Sequence, residues 1–147
     1  VRHLCEDPGV IGTPFYVMDF LDGRVFRNPA LPDCSVAERT AIYGSMNATL
    51  ATLHAIDYRA AGLETFGRPE NYIARQIALW TKQYRASETE TIEALDTLID
   101  WLPAHIPAGE EHAIAHGDFR LENLVFAHDS AEVLAVLDWE LATLGHP

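Results

Sequence analysis

His116-Gly117-Asp118-Phe119-Arg120-Leu121-Glu122-Asn123, followed after two short apolar runs by Leu137-Asp138-Trp139-Glu140, decides the reading of this chain. Asp118 and Asn123 stand five positions apart, and both carry oxygen donors. Ala113 to Ala115 before the loop, and Leu124 to Phe126 and Val133 to Leu137 after it, read as short buried strands. The polar turn His128-Asp129-Ser130 separates the last two, so the pattern predicts a hairpin that returns Asp138 beside Asn123. Phosphoryl transfer asks a protein to orient a hydroxyl, take its proton late and hold metal against the moving phosphate. Hard Mg²⁺ prefers carboxylate and amide oxygens completed by phosphate, which Asn123 and Asp138 supply, leaving Asp118 as the base. Arg120, two positions after Asp118, is placed to steady phosphate charge.

Each of these residues has an ordinary alternative. An Asp after Gly at a strand end is usually a turn former or helix cap, and an Arg is usually a solvated surface charge. What separates this stretch from those readings is the joint pattern of strand, polar loop, Asn at a fixed offset, hairpin and terminal Asp. His112 and His116 would suggest a metal pair on a helix, but on a strand residues four apart sit too far apart for one ion. His116 is therefore expected to fix the loop through hydrogen bonds, and His54, on an apolar helix face, to be a core histidine.

The five-residue Asp-to-Asn spacing is that of the protein-kinase catalytic loop. With it, the chain resembles the aminoglycoside phosphotransferase family, small-molecule kinases of protein-kinase-like fold. Leu137-Asp138-Trp139-Glu140 stands where protein kinases carry their D-F-G segment, and Phe15-Tyr16-Val17-Met18-Asp19-Phe20-Leu21-Asp22-Gly23 resembles the hinge between lobes. The resemblance implies an α+β, two-lobed fold, with Asp118 as catalytic base and Asn123 and Asp138 as Mg²⁺ ligands. It further implies that the backbone of Met18, Asp19 and Phe20 receives the adenine of ATP. Residues 1–147 would then be a partial phosphotransferase domain, with 1–22 the last small-lobe strands and hinge and 23–147 the helical lobe carrying catalytic loop and metal segment. Phe66 to Tyr72 and Asp138 to Pro147 look like the branch that some longer chains join to an acyl-CoA dehydrogenase. That branch suggests fusion or association with such a dehydrogenase, and a hydroxyacyl-CoA hydroxyl as phosphate acceptor.

Composition bounds these expectations. A chain of 147 residues with 48% hydrophobic content can bury a core and falls within one domain's size range. The net charge of −12 argues against a nucleic-acid partner. The same acidity suits a cationic acceptor such as an amino sugar, whereas a CoA ester would need a local basic patch. No run of 18 or more apolar residues and no signal-peptide core is present, so neither membrane insertion nor secretion is expected, and cytoplasm is the default compartment. Cys5 and Cys34 lack metal-ligand spacing and read as half-buried free thiols.

Along the chain, Val1 to Cys5 and Pro14 to Phe20 read as strands about the turn Asp7-Pro8-Gly9, and Gly23 to Pro32 as a loop. Ser35-Val36-Ala37-Glu38 has capping-box form and opens a helix to about Ile56, with Val36, Tyr43, Met46, Leu50, Leu53 and His54 on its apolar face. A second helix is expected from Pro69, with Ile73, Ile77, Trp80 and Tyr84 in the core. Ser87-Glu88-Thr89-Glu90 is expected to cap a third, with Ile92, Leu95, Leu98, Ile99 and Leu102 inward, Glu88, Glu90, Glu93 and Asp96 solvated, and Pro103 ending it.

Neither a Gly-rich loop nor a strand lysine precedes Met18, and Lys82, the single lysine, falls on a helix. Both ends are expected to be cut points, and residues 1–147 alone are expected to transfer no phosphate. Two other classes bear weighing. A non-catalytic, kinase-like nucleotide-binding or scaffold domain is opposed by the intact Asp118, Asn123 and Asp138. A metal hydrolase built on His116, Asp118 and Asp138 lacks a further ligand set.

Overall fold

A computed structural model describes residues 1–109 and 111–147. They form two compact units, Val1–Met46 with Arg120–Leu137, and Asn47–Phe119 with Asp138–Pro147.

In the first unit, β1 (His3–Cys5) and β2 (Phe15–Val17) pair antiparallel about the predicted turn. Met18, Asp19 and Phe20 continue as exposed chain without strand structure, shorter than expected. β4 (Leu124–Phe126) and β5 (Val133–Val136) form the hairpin read from the sequence. Its register is Leu124 opposite Val136, Val125 opposite Ala135, then Phe126 opposite Val133, a bulge that leaves Leu134 unmatched. β4 is the centre of this unit, with Leu124 and Phe126 at 0% exposure.

The helix α1 (Val36–His54) starts where its capping box predicts. The Glu38 amide donates to Ser35 Oγ at 3.2 Å, and the Ser35 amide donates back to Glu38 Oε2 at 2.8 Å. Its inward face differs from expectation: Val36 and Tyr43 are exposed and Ile42 is buried. Val36 occupies the first helical position, and the Tyr43 hydroxyl donates to the Pro29 carbonyl at 2.7 Å, which holds that ring at the surface.

In the second unit, the C-terminal turns of α1 supply Leu53 to a core completed by Tyr58, Ile114 and Leu144, with Leu50 and Leu63 packed against it. Ile114 belongs to β3 (Ala113–Ala115) and Leu144 to β6 (Thr143–Gly145), antiparallel partners in which Ala113 faces Gly145 and Ala115 faces Thr143. The sequence pattern predicts β3 but gives no sign of β6. The ladder is closely seated: a Cβ on Gly145 would stand 2.8 Å from the Tyr72 ring, and one on Gly67 would stand 2.2 Å from Thr143 Oγ1.

The second and third helices depart from expectation in their caps and burial. α2 (Tyr72–Ser87) begins after Asn71, whose backbone is left-handed at φ 52°, rather than at Pro69. Arg75 ties the preceding segment by donating to the carbonyls of Glu70 and Arg68. Ser87 caps no third helix. It is the last residue of α2, and its hydroxyl donates back to Gln83 O at 2.9 Å, the local competition a helical serine offers. Glu88 turns towards Arg85, which also pairs with Asp96 at 2.6 Å, so Asp96 is half-buried in an ion pair rather than freely solvated. That pairing raises the Arg85 guanidinium's pKa, the Asp96 bond first and the Glu88 bond second. α3 (Glu93–Trp101) starts five residues beyond Glu88, and Pro103 sits in a 3-10 turn, Leu102–His105, that prolongs it. Neither helix contains a buried residue: Trp80 is 62% and Leu98 46% exposed, and Ile92 and Leu102 are exposed too. Ile73, Ile77, Trp80, Tyr84, Leu95 and Leu98 instead line an open apolar groove, because no described segment lies across it.

Candidate active site

The loop that carries Asp118 is anchored by a buried histidine. β3 delivers the chain into His116, whose side chain is 2% exposed although its neighbours Gly117 and Asp118 are not buried. The Asp118 backbone N–H donates to His116 Nδ1 at 3.3 Å. Nδ1 must then be the acceptor, which leaves the neutral ring's hydrogen on Nε2. His116 thus performs the loop-fixing role that its place after a strand suggested. The ring is also walled by Phe119 at 5.7 Å, edge-on, and by Trp139 at 4.8 Å, tilted.

Gly117 makes this turn sterically feasible. Its φ is +86°, and a Cβ there would lie 2.5 Å from the Leu141 carbonyl oxygen and 2.8 Å from Leu141 Cβ. Within the second unit, the segment around Asp118 and the segment following Asp138 are therefore held together at two points, Gly117 on Leu141 and His116 on Trp139. Asp118 is half-buried and Asp138 exposed. Asp138 takes a left-handed backbone, φ 65° and ψ 60°, and opens the 3-10 turn Trp139–Leu141. A non-glycine residue in that region is uncommon, and Asp and Asn occupy it more readily than most.

The other expected site residues belong to the first unit. Asn123 is 7% exposed at the end of the 3-10 turn Leu121–Asn123, and its carbonyl accepts the Leu137 N–H at 2.8 Å. That bond closes the open end of the hairpin at the residue before Asp138. Arg120 is exposed and pairs with Glu122 at 3.2 Å. Met18, Asp19 and Phe20 are exposed, and Asp19 accepts from Arg2 Nε at 2.9 Å.

By residue type, the two expected ligands are of the kind a hard cation takes. Asn123 offers an amide oxygen and Asp138 a carboxylate, and Mg²⁺ commonly takes one or two such groups with phosphate oxygens and water completing its octahedron. No cluster of three or more His, Cys, Asp or Glu side chains able to hold a metal occurs among the described residues. His54 is half-buried rather than a core histidine, whereas Cys5 and Cys34 are the free, half-buried thiols expected. No described helix is long and apolar enough to cross a membrane.

The family described as the phosphotransferase enzyme family, APH, matches residues 1–147. The chain belongs to that family. It is 51% identical over 147 residues to acyl-CoA dehydrogenase family member 10 of Mus musculus, covering all of this chain and 14% of that protein. It is 46% identical over 144 residues to acyl-CoA dehydrogenase family member 11 of Homo sapiens, covering 97% of this chain and 18% of that protein. The chain thus spans less than a fifth of either relative, consistent with the dehydrogenase-linked branch of the family. Among solved structures, a Ralstonia eutropha JMP134 protein provisionally named an aminoglycoside phosphotransferase is 56% identical with a TM-score of 0.90, covering 99% of this chain and 45% of that one. A type I macrolide 2'-phosphotransferase, at 20% identity and a TM-score of 0.65 over 87% of this chain, shares the fold. The α+β, kinase-like fold that the resemblance implies is therefore the fold of this APH-family chain.

The sequence reading missed two features of the site. The ring contact of Trp139 with His116 has no local signal in the sequence. The approach of Gly117 to Leu141 has only a weak signal, a glycine at the turn between a strand and Asp118.

Proposed function

We propose that this chain is the catalytic portion of an ATP-dependent small-molecule kinase that transfers the γ-phosphate of ATP to a substrate hydroxyl. The observation that carries the reading is the Asp118 amide bonded to the buried His116, whose ring packs on Trp139, next to Asp138 in the chain. In this reading Asp118 orients the acceptor hydroxyl and takes its proton as the bond to phosphorus forms. Arg120 lends positive charge to the phosphate oxygens, and the backbone of Met18 to Phe20 receives the adenine. Asn123 and Asp138 hold Mg²⁺, which when bound neutralises charge on the phosphates.

The names of the relatives support a hydroxyacyl-CoA acceptor and a linked acyl-CoA dehydrogenase. The chain's net charge of −12 favours a cationic amino sugar instead. The test is incubation of the complete protein with Mg·ATP and panels of both acceptor classes, beside Asp118→Asn, with phosphorylated product read by mass spectrometry. The substitution is expected to lower turnover by about 10²-fold or more at unchanged melting temperature. Retained activity would remove Asp118 from the role of base, and nucleotide binding without any product would favour a non-catalytic kinase-like domain.

A further inference from the structure

Three residues that the proposed chemistry does not use, Asp22, Gly23 and Arg24, join the chain leaving Phe20 to the hairpin that follows Asn123. Arg24 pairs with Phe126 as an isolated antiparallel bridge: its N–H donates to Phe126 O at 2.7 Å, and the Phe126 N–H returns to Arg24 O at 2.8 Å. The β5 bulge lies at this same point of the ladder. Gly23 is what lets the two backbones meet, since a Cβ there would stand 2.6 Å from both Phe126 O and Val125 Cγ1.

The side chain of Arg24 then reaches around the hairpin turn. Nε donates to Ala127 O at 2.8 Å and one terminal nitrogen donates to Ser130 O at 2.6 Å, so a single planar fork closes both sides of the turn. The guanidinium rests 5.3 Å from the Phe26 ring centroid, and Phe26 stands edge-on to the fully buried Phe126 at 5.3 Å. Beside it, His128 Nε2 and Asp22 Oδ1 meet at 2.9 Å. An arginine needed only for solubility has no reason to spend two directed bonds and a ring contact on one turn.

We infer that Arg24 is a positioning residue: its clasp on the β4–β5 turn fixes the nucleotide-receiving segment and Asn123 in one register. This rests on the kinase reading above. Arg24 lies four residues after Phe20, and its bridge partner Phe126 lies three residues after Asn123, so the clasp spans the shortest chain path between the two expected binding elements. Loss of the fork frees the turn and loosens the backbone bridge beside it, and with both weakened the hairpin no longer holds its open end, where the Leu137 N–H meets the Asn123 carbonyl, in a fixed register.

The experiment compares Arg24→Met, which keeps length and removes the donors, and Arg24→Lys, which keeps charge and removes the fork, with the unchanged complete protein. Readouts are melting temperature, amide exchange at Phe126 and Leu137, Mg·ATP affinity by calorimetry, and the Mg²⁺ dependence of turnover. The expected result is faster exchange at both amides and a roughly tenfold rise in the Mg²⁺ and Mg·ATP requirement in Arg24→Met, with acceptor KM unchanged and only partial rescue by lysine. A lowered melting temperature with unchanged nucleotide and Mg²⁺ dependence would overturn the positioning role, as would full rescue by lysine. Failure of the unchanged protein to bind Mg·ATP would mark failure of the kinase reading itself, and unaltered amide exchange in Arg24→Met would overturn the clasp whatever the nucleotide does.

Discussion

The imidazole of His116 packs against the indole of Trp139 with 4.8 Å between ring centroids, so the residue that anchors the Asp118 loop touches the residue after Asp138. Trp139→Leu keeps bulk but removes the aromatic face. An aromatic pair adds about 0.5–1.5 kcal/mol beyond area burial, so a stability loss of about 1 kcal/mol is expected, with a larger fall in turnover as the loop loosens. Denaturation midpoints in a double-mutant cycle with His116→Leu check the coupling, which should be absent once either ring is gone. Additive losses would mean that the contact carries no energy.

Asp138 separates backbone from ligand chemistry. Its left-handed φ of 65° is tolerated by Asn, whereas Ala pays about 1–2 kcal/mol there. Asp138→Asn is expected to melt with the unchanged protein yet to lose Mg²⁺-supported turnover, and Asp138→Ala to lose both. Thermal melts beside an Mg²⁺ titration check this, and an unaltered metal requirement in the asparagine variant would withdraw Asp138 as a ligand.

At the start of α1, the Ser35 backbone and side-chain hydrogen bonds hold the Glu38 carboxyl below its ordinary pKa, with a smaller contribution from Arg24. A depressed folded-state pKa means stability that is present above about pH 4.5, the ordinary glutamate value, and is lost as pH falls through the folded value. Ser35→Ala is expected to cost about 1 kcal/mol at neutral pH, as for other lost N-caps. Urea midpoints should show this gap narrowing as the pH is taken below that range. A gap constant across pH would show that the charge of Glu38 has no part in the cap.

What could be read from the sequence was what depends on near neighbours. The Ser35-Glu38 box and the β4–β5 hairpin are specified within a few residues, and both formed where expected. The Ser87 box failed for an equally local reason, since that hydroxyl had a helical carbonyl within reach before it could cap anything. β6 was invisible because three residues, Thr143 to Gly145, take their strand character from a partner far back in the chain. Along α2 and α3 the apolar period was correct and the burial was not, because period reports which face is apolar and only a neighbouring element decides whether that face is covered. Asp118, Asn123 and Asp138 stand out in the sequence by type and spacing, whereas the His116–Trp139 contact depends on the pairing of the flanking strands, which has no local signal.

That pairing has a consequence for the order of assembly. The β3–β6 ladder encloses residues 116–142, and the β4–β5 hairpin is nested inside that span. Closing a short loop first makes the longer one cheaper to close, so the hairpin is expected to pair before the outer ladder. Asp118 follows the end of β3 by three residues, and Asp138 precedes the start of β6 by five. A transient unzipping of its three residue pairs would loosen the chain on both sides of the second unit's ladder together, a local opening that needs no unfolding of the β4–β5 pairs.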